Sequence, residues 1–203
     1  MSTTTPRPSA RERLLASADE LFFAHGIHVV GIDRLLEHAE VSKASLYKQF
    51  GSKDELVRAY LEQRHERRLA RWDRHVAAAD DARGRLLALF AAQAEAFEEN
   101  GLRGCAFLRA AAEAEPGDAA LDVTERYRRE QHERLVAQAT DPGARDPEQQ
   151  ADQLTLLYDG GSASAQLDGT GAAITQARAI AATVVDAALR EPRDDGAQAA
   201  RTS

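Results

Sequence analysis

An all-α fold is predicted for this 203-residue chain, on three observations. Alanine, leucine, glutamate and arginine dominate, whereas the β-branched and aromatic residues that favour strands are sparse, with Phe, Trp and Tyr together at 5%. Apolar residues return every three or four positions along most of the length. The periodic segments are separated by glycine, proline and helix-capping residues. With 43% hydrophobic and 29% charged residues, the composition is that of a globular protein long enough to bury a substantial core.

Nine helices follow from this punctuation. Ser9 and Glu12 form an S-x-x-E capping box, Leu14, Ala18, Leu21 and Phe22 recur at helical spacing, and Gly26 stops the first helix. "IHVV" connects it to a short second helix, "GIDRLLEHA" (31–39), with Ile32, Leu35, Leu36 and Ala39 inward. Glu40 and Val41 make a turn, and Ser42 caps a third helix from Lys43 to Phe50. Gly51 ends it, and Ser52 with Glu55 is a second capping box, opening a fourth helix that reaches about Ala78. Each cap contributes about 1 kcal/mol, so these ends are specified locally. Five further helical segments are expected at 82–99, 105–115, 119–140, 148–167 and 172–189, broken at "NGLRG", "PGD", "DPGARDP" and "DGTG". Residues 1–8 and 191–203 lack periodicity and read as disordered tails.

The formal net charge is −7, unevenly spread. Residues 1–75 carry 13 Lys/Arg against 11 Asp/Glu, and residues 76–203 carry 13 against 22. This asymmetry hints that one half meets a polyanion. The single cysteine, Cys105, excludes an internal disulfide and fits a reducing compartment. No apolar run is expected to approach the roughly 18 to 20 residues of a membrane span, and the opening residues lack the apolar core of a secretory signal. A cytoplasmic protein with no membrane partner is expected.

The third helix carries the sharpest signal. On a helical wheel Leu46 and Phe50 fall together and face a core, while Ala44, Ser45, Lys48 and Gln49 fall opposite, flanked by Lys43 and Tyr47. A helix of eight residues does not hold itself together in water, so the first two helices must buttress it. Two short helices joined by a tight turn, the second showing small, hydroxyl and basic residues, are what a helix-turn-helix offers the major groove. Ala44 and Ser45 permit close approach to base edges; Lys43 and Lys48 suit phosphates or base acceptors, and the Tyr47 hydroxyl suits a phosphate oxygen. Lys53 sits in the first turn of the fourth helix, whose free N–H groups also favour an anion. From 41 to 53 there are three lysines and no acid, and such a local field suffices because distant charges are screened.

The stretch "FFAHGIHVVGIDRLLEHAEVSKASLYKQFGSKDEL" (22–56) resembles the DNA-binding region of the TetR family of transcriptional regulators. The resemblance covers about residues 10–60 and rests on the Gly26 connector, Val41-Ser42, Leu46-Tyr47, Phe50, Ser52-Lys53 and Leu56. It implies DNA contacts at Ser42, Lys43, Ala44, Ser45, Tyr47, Lys48 and Lys53. Three departures stand out: Val30 and Gly31 where a hydroxyl residue often opens the second helix, Glu40 where the turn usually has glycine, and Ala44 where the third helix often has glycine. The implied layout is a helix-turn-helix DNA-binding domain at 9–56, with its motif at about 31–50, followed by a ligand-sensing and dimerisation domain at 57–190.

Short reading helices gain specificity as two-fold dimers on palindromic sites. The last two helices suit a self-complementary four-helix bundle, with small or apolar residues at Gly160, Gly161, Ala163, Ala165, Ile180, Val184 and Ala188. The resemblance agrees, since the last helices of TetR-like proteins form the dimer. In the middle region the rare bulky rings Trp72, Phe107, Tyr127 and Tyr158 are candidates to line an apolar small-molecule cavity, with ordinary core packing the alternative for each.

Other chemistry finds little support. The six histidines show no metal spacing, Glu113 and Glu115 point apart on a helix, and no glycine-rich phosphate loop is present. Ser162 and Ser164 have no histidine nearby in sequence. No metal, cofactor or catalytic residue is expected. The leading expectation is a homodimeric regulator, a repressor that binds a palindromic operator in double-stranded DNA and is released by a small apolar effector of unknown identity. The alternative is a helical small-molecule-binding protein or enzyme that does not act through DNA.

Overall fold

The computed structural model describes residues 8–101, 103–141 and 144–190, so the expected tails at 1–8 and 191–203 lie outside the described residues except for Pro8. Among the described residues there are nine helices and no strand: α1 (Ala10–His25), α2 (Ile32–Ala39), α3 (Lys43–Phe50), α4 (Lys53–Ala77), α5 (Ala82–Asn100), α6 (Ala106–Glu113), α7 (Ala119–Thr140), α8 (Pro147–Asp168) and α9 (Ala172–Arg190). The all-α expectation holds, and α3 and α7 begin and end where the sequence places them. Helix α6 is shorter than expected. Its C-cap Ala114 is already extended (φ −81°, ψ 147°), and Pro116 disfavours helical backbone at the residue before it.

The serines read as caps do cap their helices, and two aspartates not singled out in the sequence add further caps. The Ser9–Glu12 box is complete, with each side chain reaching the other's backbone N–H. The Ser52 hydroxyl accepts from the Glu55 N–H at 3.0 Å, whereas the Glu55 carboxylate turns to Arg58. Asp81 and Asp146 cap α5 and α8 in the same way.

The chain divides into two compact units that do not follow chain order: residues 1–67 with 105–127, and residues 68–104 with 128–203. The first unit buries Leu14, Leu21, Phe22, Leu35, Leu46, Leu56, Tyr60, Leu61, Phe107 and Tyr127 in one core. Helix α1 packs on α2 and α3, and Arg64 ties α4 to α1 through Asp19 at 2.7 Å while lying over the Phe23 ring at 3.7 Å. Thus α6 and the start of α7, well downstream of the reading helix in sequence, share its core.

The second unit has its own core of Trp72, Leu86, Leu89, Phe90, Leu135, Leu154, Tyr158, Ala181 and Val185. Helices α8 and α9 pack most extensively, and α5 lies against both. Their approach is close at Gly161, where an added Cβ would stand 2.9 Å from Ala177 Cβ. A buried amide network joins α5 to α8: Gln93 Nε2 donates to the Tyr158 carbonyl and to Ser162 Oγ, both at 2.7 Å.

Candidate nucleic-acid interface

Helix α3 is specified at both ends. Ser42 Oγ accepts from the Ser45 N–H at 3.2 Å and lies 3.0 Å from Ser45 Oγ, and Gly51 donates to the Tyr47 carbonyl at 2.9 Å. Leu46 is fully buried and Phe50 packs at the core's margin, anchoring one side. The opposite side faces solvent: Ser42, Lys43, Ala44, Lys48 and Gln49 are exposed, Tyr47 is 46% exposed and Ser45 is half-buried. Six of the seven residues expected to meet DNA therefore share one surface.

Lys53 is the exception. Its Nζ donates to the Ile27 carbonyl at 2.7 Å, in the connector between α1 and α2. Burial draws this ammonium below its ordinary pKa, with the Glu113 carboxylate acting in the opposite sense. The side chain is thus engaged within the protein rather than projecting beside Lys43 and Lys48.

The turn before α3 is built unusually. Glu40 adopts the left-handed conformation (φ 52°, ψ 47°) that glycine takes most easily, and it is the one described non-glycine residue with positive φ. Its N–H still closes α2 by donating to the Leu36 and Glu37 carbonyls. Gly31 opens α2 without a side-chain cap, as expected from the missing hydroxyl residue there.

Sequence reasoning gave no role to one residue that binds the connector between α1 and α2. Glu113, on the last turn of α6, accepts from the backbone N–H groups of Ile27 at 2.7 Å and His28 at 3.0 Å. The contact spans about 85 positions, and the one local trace of it is Gly26: at φ +93°, an added Cβ would lie 2.6 Å from Glu113 Oε1.

Comparison with known proteins bears on this geometry. Residues 14–60 match the family model described as bacterial regulatory proteins, tetR family. A TetR-family transcriptional regulator from Streptomyces coelicolor superposes with a TM-score of 0.82 at 29% identity, covering 89% of this chain and 96% of that one. A TetR-type protein from Streptomyces avermitilis is 32% identical, with a TM-score of 0.74 and coverage of 89% and 98%. The chain belongs to the TetR family. It is a TetR-family transcriptional regulator, a class of DNA-binding proteins that are not enzymes. The HTH-type transcriptional activator FasR of Mycolicibacterium smegmatis is 47% identical over 60 residues, 30% of this chain. That match spans about a quarter (27%) of the relative's own length.

In this TetR-family chain the four candidate ligand-lining rings are all buried, and they fall into two separate cores. Phe107 and Tyr127 stack in the first unit at 4.1 Å, with the His65 ring edge-on to both. Trp72 and Tyr158 belong to the second unit, where Trp72 lies between the Arg68 and Arg134 guanidinium groups at 5.7 and 5.6 Å. The Trp72 indole N–H is buried without a hydrogen-bond partner. Such an orphaned donor costs about 1 to 3 kcal/mol unless something accepts from it.

The candidate dimer residues divide as well. Gly161 and Ala165 are buried within the chain, in the seam between α8 and α9, because close packing of those helices needs small residues there. Gly160, Ala163 and Ile180 are exposed, and Val184 and Ala188 are half-buried. The expectation about apolar runs also needs correction. Ala172–Leu189 in α9 is an 18-residue window of mean hydropathy 1.3, long and apolar enough to cross a membrane, and 22% of it is buried. It includes Arg178 and Asp186, and Asp186 pairs with Arg83 of α5 at 2.6 Å. Cys105 is half-buried at the N-cap of α6. Among the described residues, no group of three or more His, Cys, Asp or Glu is placed to hold a metal ion.

Proposed function

We propose that this regulator is a cytoplasmic homodimeric repressor that binds a palindromic operator and leaves it when a small apolar effector binds. The observation that carries the DNA-reading half is the α3 surface: Lys43, Ala44, Tyr47 and Lys48 stand in solvent on a helix whose other side is anchored by fully buried Leu46. Ser42, Ser45 and, less directly, Lys53 complete the contact set. Lysines and the tyrosine hydroxyl meet phosphates, while Ala44 lets the helix sit deep enough for base-edge contact. Residues 9–56 form the reading domain and 57–190 the sensing and dimerisation domain.

Dimerisation is supported by α9, whose apolar window is mostly uncovered in the single chain. Ile180, Val184 and Ala188 fall on one stripe of it, and Gly160 and Ala163 add a shallow exposed strip on α8. A second copy packing α8 and α9 against these would cover the apolar surface and set two reading helices roughly 34 to 36 Å apart, one turn of DNA. Covered this way, α9 needs no membrane.

Effector binding is supported by the buried, unpaired Trp72 N–H, which would be satisfied by an acceptor on an otherwise apolar ligand. Tyr158, in the same core, is its companion candidate, while Phe107 and Tyr127 are candidates within the first unit. A coupling of about 1 to 3 kcal/mol between the two sites changes DNA affinity 5- to 150-fold. A second reading, activation in place of repression, draws on the Mycolicibacterium smegmatis relative, which is named an activator and matches over 60 residues.

The test is selection of bound fragments from a native DNA pool with the full-length protein, followed by a reporter carrying the recovered site. Enrichment of an inverted repeat, with steep salt dependence, is expected, and reporter output should fall when the protein is present. Recovery of no preferred sequence at low salt would end the DNA-reading account. Increased reporter output would replace repression by activation.

A further inference from the structure

We propose that Glu113 is a positioning residue for DNA reading: from the last turn of α6 it holds the α1–α2 connector, and with it the frame on which α3 is presented. This rests on the regulator reading above, and it extends that reading to a side chain far from the DNA-facing surface.

The connector, residues 26–31, has no regular structure of its own to satisfy its backbone groups. Two side chains supply partners instead. The Glu113 carboxylate accepts from the Ile27 and His28 N–H groups at 2.7 and 3.0 Å, and Lys53 Nζ donates to the Ile27 carbonyl at 2.7 Å. Ile27 is therefore held at both its N–H and its carbonyl. The His28 ring in turn contacts the Glu113 carbonyl oxygen. One helical turn earlier on α6, Arg109 Nη1 donates to the Phe23 carbonyl at 2.9 Å, in the last turn of α1. Positions 109 and 113 lie four apart and so share a face, gripping successive points of the same chain segment.

The grip is reciprocal. Asp54, in the first turn of α4, accepts from the Ala119 N–H at 3.1 Å, where α7 begins. Glu113 thus pins the end of α6 to the α1–α2 connector, and Asp54 pins the start of α7 to the start of α4. Hydrogen bonds between a carboxylate and backbone N–H groups are short and strong, and they break together when the carboxylate moves. Gly26 shows that the fit is tight, since any side chain there would strike the carboxylate. A displacement of α6 by the width of one hydrogen bond would free Ile27 and His28. It would also loosen α2, which supports α3.

Glu113, Arg109 and Asp54 all lie outside α3, so the latch sets geometry and leaves Lys43 and Lys48 in place. Sequence-specific binding needs the geometry, whereas non-specific binding needs only the charge.

The experiment compares wild type with Glu113→Ala and Glu113→Gln in the full-length chain. It measures affinity for the selected operator and for random duplex, together with hydrogen exchange at individual amides without DNA. For Glu113→Ala we expect a 10- to 100-fold loss of operator affinity, random-duplex affinity within about twofold of wild type, and at least tenfold faster exchange at Ile27 and His28. Protection at Leu14 and Ala18 should be retained. Glu113→Gln keeps one acceptor oxygen and should fall between. Unchanged exchange at Ile27 and His28 in both variants overturns the proposal, as does operator affinity within twofold of wild type in Glu113→Ala. An equal loss on operator and random duplex also overturns it, because a positioning role predicts a selective loss. If wild type selects no DNA at all, the regulator reading fails, and the exchange result still decides the latch by itself.

Discussion

Leu46 and Tyr47 are neighbours in sequence and opposites in environment: Leu46 is fully buried and Tyr47 is 46% exposed. That one-residue contrast orients α3. The buried leucine fixes the helix's rotation about its axis, and the rotation decides which residues DNA can meet.

Lys48→Ala removes an exposed cation from the end of this surface. Stability should stay within about 0.5 kcal/mol of wild type. Operator affinity should fall, and the slope of log affinity against log salt should shrink by about one unit if Lys48 meets a phosphate. Fluorescence anisotropy at several salt concentrations measures both. An unchanged slope with lost discrimination among sequences would move Lys48 to a base edge.

Glu40→Gly should stabilise the protein. A non-glycine residue at φ 52° costs about 1 kcal/mol or more, part of which glycine returns through its greater freedom in the unfolded chain. A net gain of about 0.5 to 1 kcal/mol is expected in urea denaturation. The substitution also removes a negative charge beside the reading helix, so DNA affinity should rise at low salt and converge with wild type at high salt.

Tyr60 predicts a stability change at alkaline pH. Burial holds its hydroxyl in the protonated form and pushes its pKa up to about 12. The folded pKa lies above the unfolded one of about 10, so the associated stability is fully present below pH 10 and is lost as pH rises toward 12. The loss should approach about 3 kcal/mol. Tyr60→Phe should remove most of that dependence, which denaturation at pH 9 and pH 11.5 would reveal as a smaller difference than in wild type.

Adjacent glycines on α8 should respond in opposite directions. Gly161→Val pushes a side chain into Ala177, with the Cβ alone at 2.9 Å, and should destabilise by about 1 to 3 kcal/mol. Gly160→Ala meets nothing within 4 Å and should stabilise by up to about 1 kcal/mol through helix propensity. Thermal melts decide between these signs.

Ile180→Arg tests the proposed dimer. The side chain is 44% exposed in the single chain, so the fold should survive. Analytical ultracentrifugation should show dimer association weakened at least tenfold, shifting the protein toward monomer, with operator binding lost in parallel. A dimer of wild-type strength would move the interface elsewhere.

The helix-turn-helix was legible because its determinants are local. Ser42 and Gly51 bracket α3, and Leu46 with Phe50 orient it, all within ten residues. Glu40 was recognised as a departure at the turn, and the structure shows the departure as positive φ. Other features were hidden. Lys53 resembled a further DNA contact because its charge and helix position are visible, while its hydrogen bond to Ile27 is not. Glu113 was weighed as half of a carboxylate pair, and its partners lie about 85 residues away with no periodicity to announce them. Gly161 and Ala165 looked like interface residues because small residues suit any close helix packing, whether within a chain or between chains.

The amino-acid sequence alone determined the helical class, most helix ends and the identity of the reading helix, since propensity, capping and 3.6-residue periodicity act over a few neighbouring positions. Only the tertiary structure decided that α6 shares a core with the reading head, that Glu113 and Lys53 clamp the connector, and which small residues α8 and α9 use against each other. Those outcomes depend on which distant groups come within 3 or 4 Å once the apolar faces are buried. No local pattern encodes that distance.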